Sequence, residues 1–266
     1  EIDLEPWSGL TKNEVRARFP EAHLTWKNEP KDLIIKRKDG SEYNPVCELM
    51  SQSDHFIKKL LKDHSPKDNQ NILIVGHNAI LRCILLNLLN DPVQGFRKIR
   101  LDNASISIVS IKSNETNPYE VQLECLNNIS HLNPSIPLKK SNSRIVLVRH
   151  GETNWNSEGR FQGQIDIPLN NNGKNQASAA GSFLKNIQID KAFSSSMSRP
   201  TETAELILKH HPQVNLQLEK NLVEIGHGLW EGKLESEIEK EWSDLLKRWQ
   251  SSPENVQMPE GENIKE

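Results

Sequence analysis

The sequence predicts an α/β fold, a mostly parallel sheet flanked by helices, and three observations carry that reading. Two wholly apolar runs, residues 72–75 and 145–148, each end in a short turn containing glycine and histidine, as strands buried on both faces of a parallel sheet do. Segments with helical spacing of apolar residues alternate with them. The third observation is an internal repeat of domain size.

In the repeat, Glu1-Ile2 matches Glu224-Ile225, Trp7 matches Trp230, Gly9 matches Gly232, Glu14 matches Glu237, Trp26 matches Trp249 and Pro30 matches Pro253, all offset by 223 (224 − 1). Pro45 and Glu48 match Pro259 and Glu262 at an offset of 214 (259 − 45), so the first copy carries about nine extra residues around 33–41; such an insertion is expected as a loop or hairpin. The period is far longer than a solenoid unit and about the size of a domain. Two tandem domains are therefore expected. Because the chain starts without methionine, inside a motif that lies mid-domain in the second copy, it is read as a window: residues 1–130 as the carboxyl half of a first domain, 131–143 as a linker, and 144–266 as the amino half of a second. The recurrence of Trp7, Trp26, Trp230 and Trp249 at matched places favours packing over substrate stacking.

Taken in order, helices are expected at 11–18 and 46–64, a strand at 71–75, a helix at 79–89, and two β-rich runs at 104–111 and 119–126. The polar stretch 131–143, with two prolines, separates the copies. The second copy then gives a strand at 144–148, a helix at 171–185, a strand at 191–194 and helices at 199–209 and 235–249.

Arg149-His150-Gly151 follows the second apolar run, at the strand end where open α/β sheets do their chemistry. A neutral imidazole there can attack phosphorus through one ring nitrogen while a hydrogen bond on the other fixes its tautomer. The adjacent guanidinium can hold phosphate oxygens as a fork. Three residues alone are weak evidence, since a strand ending at a turn glycine looks the same. The downstream stretches RHGETNWN, GRFQGQIDIPLN, FSSSMSRPTETAE and LVEIGHGLWEG resemble, in that order, the signature of the histidine phosphatase superfamily, also called phosphoglycerate mutase-like.

The resemblance implies His150 as nucleophile, Arg149 and Arg199 on the phosphate, Glu224 as proton donor, and Asn156, Gln162 and Gly163 lining the phosphate pocket. The family's second histidine matches His77 of Gly76-His77-Asn78, upstream of the nucleophile because it belongs to the first copy; the bland reading of His77 is a capping residue in a strand-to-helix turn. Glu1 is the first copy's acid. In the family the strand before the second histidine lies between the first two strands of the amino half, so a short linker can join the halves as in a circular permutant. One composite domain, with His77 facing His150, is expected on that basis. His227 and the pair His210-His211 are expected at the surface or at a helix carboxyl end.

Phosphoryl transfer spreads charge over the phosphoryl oxygens, so catalysis is placement plus fixed positive charge. Two arginines and two histidines supply it. Beside a dianionic phosphate, like-charge repulsion favours the protonated form of a glutamate such as Glu224, which can then protonate the leaving alkoxide. No metal and no cofactor are required. The expected activity is hydrolysis of a small phosphorylated metabolite. Phosphoglycerate mutase-type transfer stays open, although the compact repeat leaves little room for the mutases' long insertions. So does a phosphate-binding or regulatory module with a degenerate first domain, in which Glu5-Pro6 replaces Gly228-Leu229.

With 266 residues, 33 basic and 36 acidic side chains and a net charge of −3, there is no basic excess to make nucleic acid a main partner. No membrane span is expected, because the richest apolar run, 79–89, is broken by Arg82 and Asn87. Cys47, Cys83 and Cys125 are odd in number and far apart, which fits reduced thiols in the cytoplasm. Sequons at Asn103, Asn114 and Asn128 are taken as chance, and the oligomeric state stays open.

Overall fold

The computed structural model describes residues 2–68, 70–91, 93–113, 119–137 and 143–264. Glu1, the sequon at Asn114 and positions 138–142 of the expected linker lie outside the described residues. The chain divides into two compact units, 1–143 and 144–266.

In the first unit, α1 (Lys12–Arg18) opens on a reciprocal cap, with Thr11 Oγ1 accepting from Glu14 N (3.3 Å) and Glu14 Oε2 accepting from Thr11 N (2.8 Å). Pro20 cannot continue that helix, yet its fixed φ suits the first turn of the next, α2 (Pro20–Asn28). The inserted residues form the expected hairpin, β1 (Ile35–Lys36) antiparallel to β2 (Glu42–Tyr43). Asn44 then caps α3 (Pro45–Asp63), accepting from Val46 N and Cys47 N. Helix α4 (Asn78–Leu88) packs on α3 through Val46, Leu49, Cys83 and Leu86. Strands β3 (Ile106–Lys112) and β4 (Glu120–Asn128) pair antiparallel. Val109, Ile111 and Val121 from them cover a second cluster of Ile57, Ile84 and Leu88. The first cluster around Trp7 holds the hairpin through Ile35 and Tyr43.

In the second unit, α5 (Asn154–Glu158) is followed by α6 (Asn171–Leu184), capped by Asn170. Strand β5 (Ala192–Ser195), helix α7 (Ser198–Leu208) and strand β6 (Leu216–Glu219) make a parallel β-α-β unit. Helix α8 (Glu235–Ser251), broken at Trp242, closes over a core of Trp230, Ile238, Leu246, Val256 and Met258.

The repeat is reproduced in its packing. Trp7 meets Trp26 edge-on at 6.2 Å and 78°, and Trp230 meets Trp249 edge-on at 6.4 Å and 87°. Trp7 and Trp230 are buried in the cores and Trp26 and Trp249 pack against them, the packing role their matched positions predict.

Two expectations are corrected. Among the described residues the fold is α/β, but its strands form three two-stranded sheets of which β5–β6 alone is parallel. The runs at 71–75 and 144–148 are not paired strands. Leu73 is 87% exposed, Val75 86%, Ile145 84% and Leu147 89%. An apolar run supplies only the side chains of a central strand. Neighbours on both edges and layers on both faces must bury it, and among the described residues no strand is bonded to either run.

Candidate active site

His77 sits at the N-cap of α4, with its carbonyl accepting from Leu81 N at 3.1 Å and no cap bond from its imidazole. It stands at the entry turn of the helix, with its side chain exposed.

All the remaining expected residues lie in the second unit. The half-buried His150 places Nδ1 2.7 Å from the carbonyl oxygen of Gly151. A carbonyl can only accept, so Nδ1 carries the proton and Nε2 keeps its lone pair. Burial pushes the His150 pKa below the ordinary 6.5; Arg199 and Arg149 push the same way, against the Gly151 carbonyl and Glu224. The neutral, Nδ1-protonated form of the ring is thus favoured, with the lone pair on Nε2. Gly151 is required by contact, since a Cβ there would lie 2.3 Å from the carbonyl oxygen of Gly173. Its N–H donates to Thr203 Oγ1 at 3.1 Å.

Arg199, in the first turn of α7, is 2% exposed. Its Nη2 donates to the Gly163 carbonyl (2.7 Å) and its Nη1 to that of Ile165 (3.4 Å). The Gln162 amide is oriented with its NH2 on Thr153 Oγ1 (2.6 Å) and its carbonyl on Arg199 Nε (2.7 Å), the arrangement that satisfies both ends. Desolvation lowers the Arg199 pKa from its ordinary value, opposed by Asp166, Glu224 and Glu231. Arg149, by contrast, is exposed.

Thr153 is fully buried and caps α5 reciprocally with Asn156, whose carbonyl accepts from Thr153 N at 3.1 Å. Asn156 therefore has a structural duty as well as its expected place at the phosphate. Gly163 is also dictated by contact, because a Cβ would sit 2.3 Å from Glu231 Oε1 and 2.7 Å from the Ile225 carbonyl oxygen. Glu224 is exposed, with Oε1 accepting from Ile225 N at 3.0 Å and its carbonyl accepting from Gln164 Nε2 at 3.1 Å.

Sequence reasoning missed several residues around this site. Glu231 and Glu262 accept backbone N–H groups of the loop after Glu224, and Asp166 accepts Ser198 N at the start of α7. The one hint was a mismatch in the repeat, Ser8 against Glu231 between matched tryptophans and glycines. His227 corrects a surface expectation. Its ring is buried edge-on to Phe161 (5.5 Å) and Trp249 (5.6 Å), with Nδ1 2.9 Å from Met258 Sδ, and burial lowers its pKa. His211 is buried too, at 3% exposure. Among the described residues no three His, Cys, Asp or Glu side chains cluster to hold a metal, and no helix is long and apolar enough to cross a membrane.

The sequence profile described as histidine phosphatase superfamily (branch 1) matches residues 1–123 and again 145–266. The chain belongs to the histidine phosphatase superfamily. Among curated relatives, phosphoserine phosphatase 1 of Hydrogenobacter thermophilus is 33% identical over 46% of the chain and 57% of its own length. A 2-carboxy-D-arabinitol-1-phosphatase of Triticum aestivum is 28% identical over 78% of the chain and 41% of its own length. A 2,3-bisphosphoglycerate-dependent phosphoglycerate mutase of Hamiltonella defensa is 39% identical over 40% of the chain and 45% of its own length. The chain thus spans about half the length of the curated relatives it matches. Of the solved structures, Bacillus stearothermophilus YhfR aligns over 43% of this chain and 56% of its own at 32% identity, with a TM-score of 0.41.

Proposed function

We propose that the protein hydrolyses a small phosphomonoester through a phosphohistidine on His150, without a metal. The observation that carries the proposal is the His150 ring itself, neutral, with Nδ1–H fixed on the Gly151 carbonyl and Nε2 left to attack. The Nε2–P bond forms as the ester P–O bond breaks, and Glu224 gives its proton to the leaving oxygen. Water then attacks phosphorus, its proton passes to the Glu224 carboxylate, and the N–P bond breaks. Arg149, Arg199, Asn156, Gln162 and Gly163 are assigned to the phosphoryl oxygens. We assign residues 1–130 and 144–266 to halves of two tandem domains, joined by 131–143. The double profile match and the exposed apolar runs support this. His77 is assigned to the phosphate site of the first domain. Free Cys47, Cys83 and Cys125 support a reducing, cytoplasmic setting.

The proposal is tested by steady hydrolysis of alkyl and aryl phosphates in EDTA; dependence on an added divalent ion contradicts it. Isomerisation of phosphoglycerate in place of phosphate release would assign the mutase reaction instead. Glu224→Gln is expected to slow alkyl phosphates by about a hundredfold, within the range for general acid catalysis. Aryl phosphates, whose leaving groups need little protonation, should slow far less. Equal losses on both would remove Glu224 from the acid role.

The lowered His150 pKa sets a pH dependence. Neutral imidazole is the reactive form, so a depressed pKa keeps the nucleophile active to lower pH than an ordinary histidine would be. The His150 ring signal, followed by NMR in the free enzyme, is expected to titrate below 6.5; a midpoint above that value contradicts the burial argument.

A further inference from the structure

We propose that Glu231 is a positioning residue, which braces the loop engaging Arg199 against the loop carrying Glu224. The proposal rests on the acid role given above to Glu224. Glu231 Oε1 accepts from Gln164 N (2.9 Å) and His227 N (3.0 Å), and Oε2 accepts from Ile165 N (2.6 Å). One carboxylate therefore ties together two loops about sixty residues apart in the chain. The first loop supplies the Gln162, Gly163 and Ile165 oxygens that fix the guanidinium of Arg199. The second begins at Glu224, whose own carbonyl is bonded to the Gln164 side chain. The cation and the acid must act on one P–O bond. A displacement of about an ångström between them costs rate steeply.

The first unit shows that this loop is held even where the brace is missing. Ser8 stands in the place of Glu231, with Oγ 3.5 Å from the Leu4 carbonyl. The inserted hairpin holds the corresponding loop instead. Arg37 bridges Glu48 (2.6 Å) and Asp3 (3.4 Å), and Lys38 N donates to Glu5 Oε2 (3.0 Å). In the second unit Glu262, the match of Glu48, reaches Gly226 N directly at 2.7 Å. Two different devices thus restrain one loop.

Glu231→Gln keeps size and shape but turns an acceptor oxygen into an NH2 group facing backbone N–H donors. In the intact protein, after subtraction of the rate left by His150→Ala, kcat for alkyl phosphates is expected to fall about ten- to a hundredfold. KM and the affinity for inorganic phosphate should change little, and aryl phosphates should be partly spared. Because Glu231 acts through Glu224, adding Glu231→Gln to Glu224→Gln should cause little further loss in the alkyl-to-aryl ratio. If Glu231→Gln lowers the melting temperature sharply, Gln164→Ala, at an exposed side chain, removes the parallel bond between the same two loops, to the Glu224 carbonyl, and should lower the same ratio. An unchanged ratio in both single variants, or a loss confined to KM, overturns the brace. If Glu224→Gln itself leaves the ratio unchanged, the acid reading fails instead.

Discussion

Replacing His150 by alanine is expected to lower phosphomonoester turnover by the second unit about a thousandfold or more, the scale on which loss of a covalent nucleophile acts. The imidazole is half-buried and its hydrogen bond is to the carbonyl of its own neighbour, so little of the fold hangs on it. Melting temperature should therefore stay nearly constant while turnover collapses. The check is chemical as well as kinetic. Brief exposure to radiolabelled substrate and an alkaline quench should leave base-stable, acid-labile phosphate on the wild-type protein and none on the position-150 variant. Wild-type turnover in the variant, with the first domain's His77 also replaced, would remove His150 from the reaction.

The helices were legible in the sequence because an amphipathic stripe and its cap are local. Expected bounds for α3, α4, α6 and α7 lie within a residue of those observed. Helix α2 was not read because Pro20 looks like a breaker until it is seen at a first turn. Strand pairing is not local, and it failed where it was inferred from side chains alone: residues 72–75 and 145–148 have the composition of central strands, yet among the described residues no strand is bonded to them.

The same division holds at the site. His150, Arg199 and Glu224 carry distinctive chemistry within a recognisable order of motifs, so they could be named. Thr153 and Glu231 work by accepting backbone N–H groups and Gln164 by donating to a backbone carbonyl, roles that many polar side chains could fill as far as sequence shows. Arg199 lies between these cases. Its residue type suggested a phosphate ligand, whereas its surroundings reveal that it also organises the loop around itself.

That double duty changes what Arg199→Lys should do. As a phosphate ligand alone, Arg199 would lose only its planar fork to lysine, at a cost to turnover rather than fold. In the structure the guanidinium is 2% exposed and engages the carbonyls of Gly163 and Ile165 and the Gln162 amide. A lysine ammonium is a single point on a flexible stem and cannot reach acceptors arranged around a plane. At least one of these oxygens is left unpaired, and the buried one, that of Gly163, would cost about 1–3 kcal/mol. The variant is therefore expected to lose about 2 kcal/mol of second-unit stability in urea unfolding. Its turnover should fall about a hundred- to a thousandfold, as when a fixed donor to transition-state charge is removed. Phosphate affinity should fall with turnover, since the Gln162–Gly163 loop loses its template. A variant that turned over normally while melting lower would make Arg199 a structural residue only, and would leave Arg149 as the cation assigned to the phosphate.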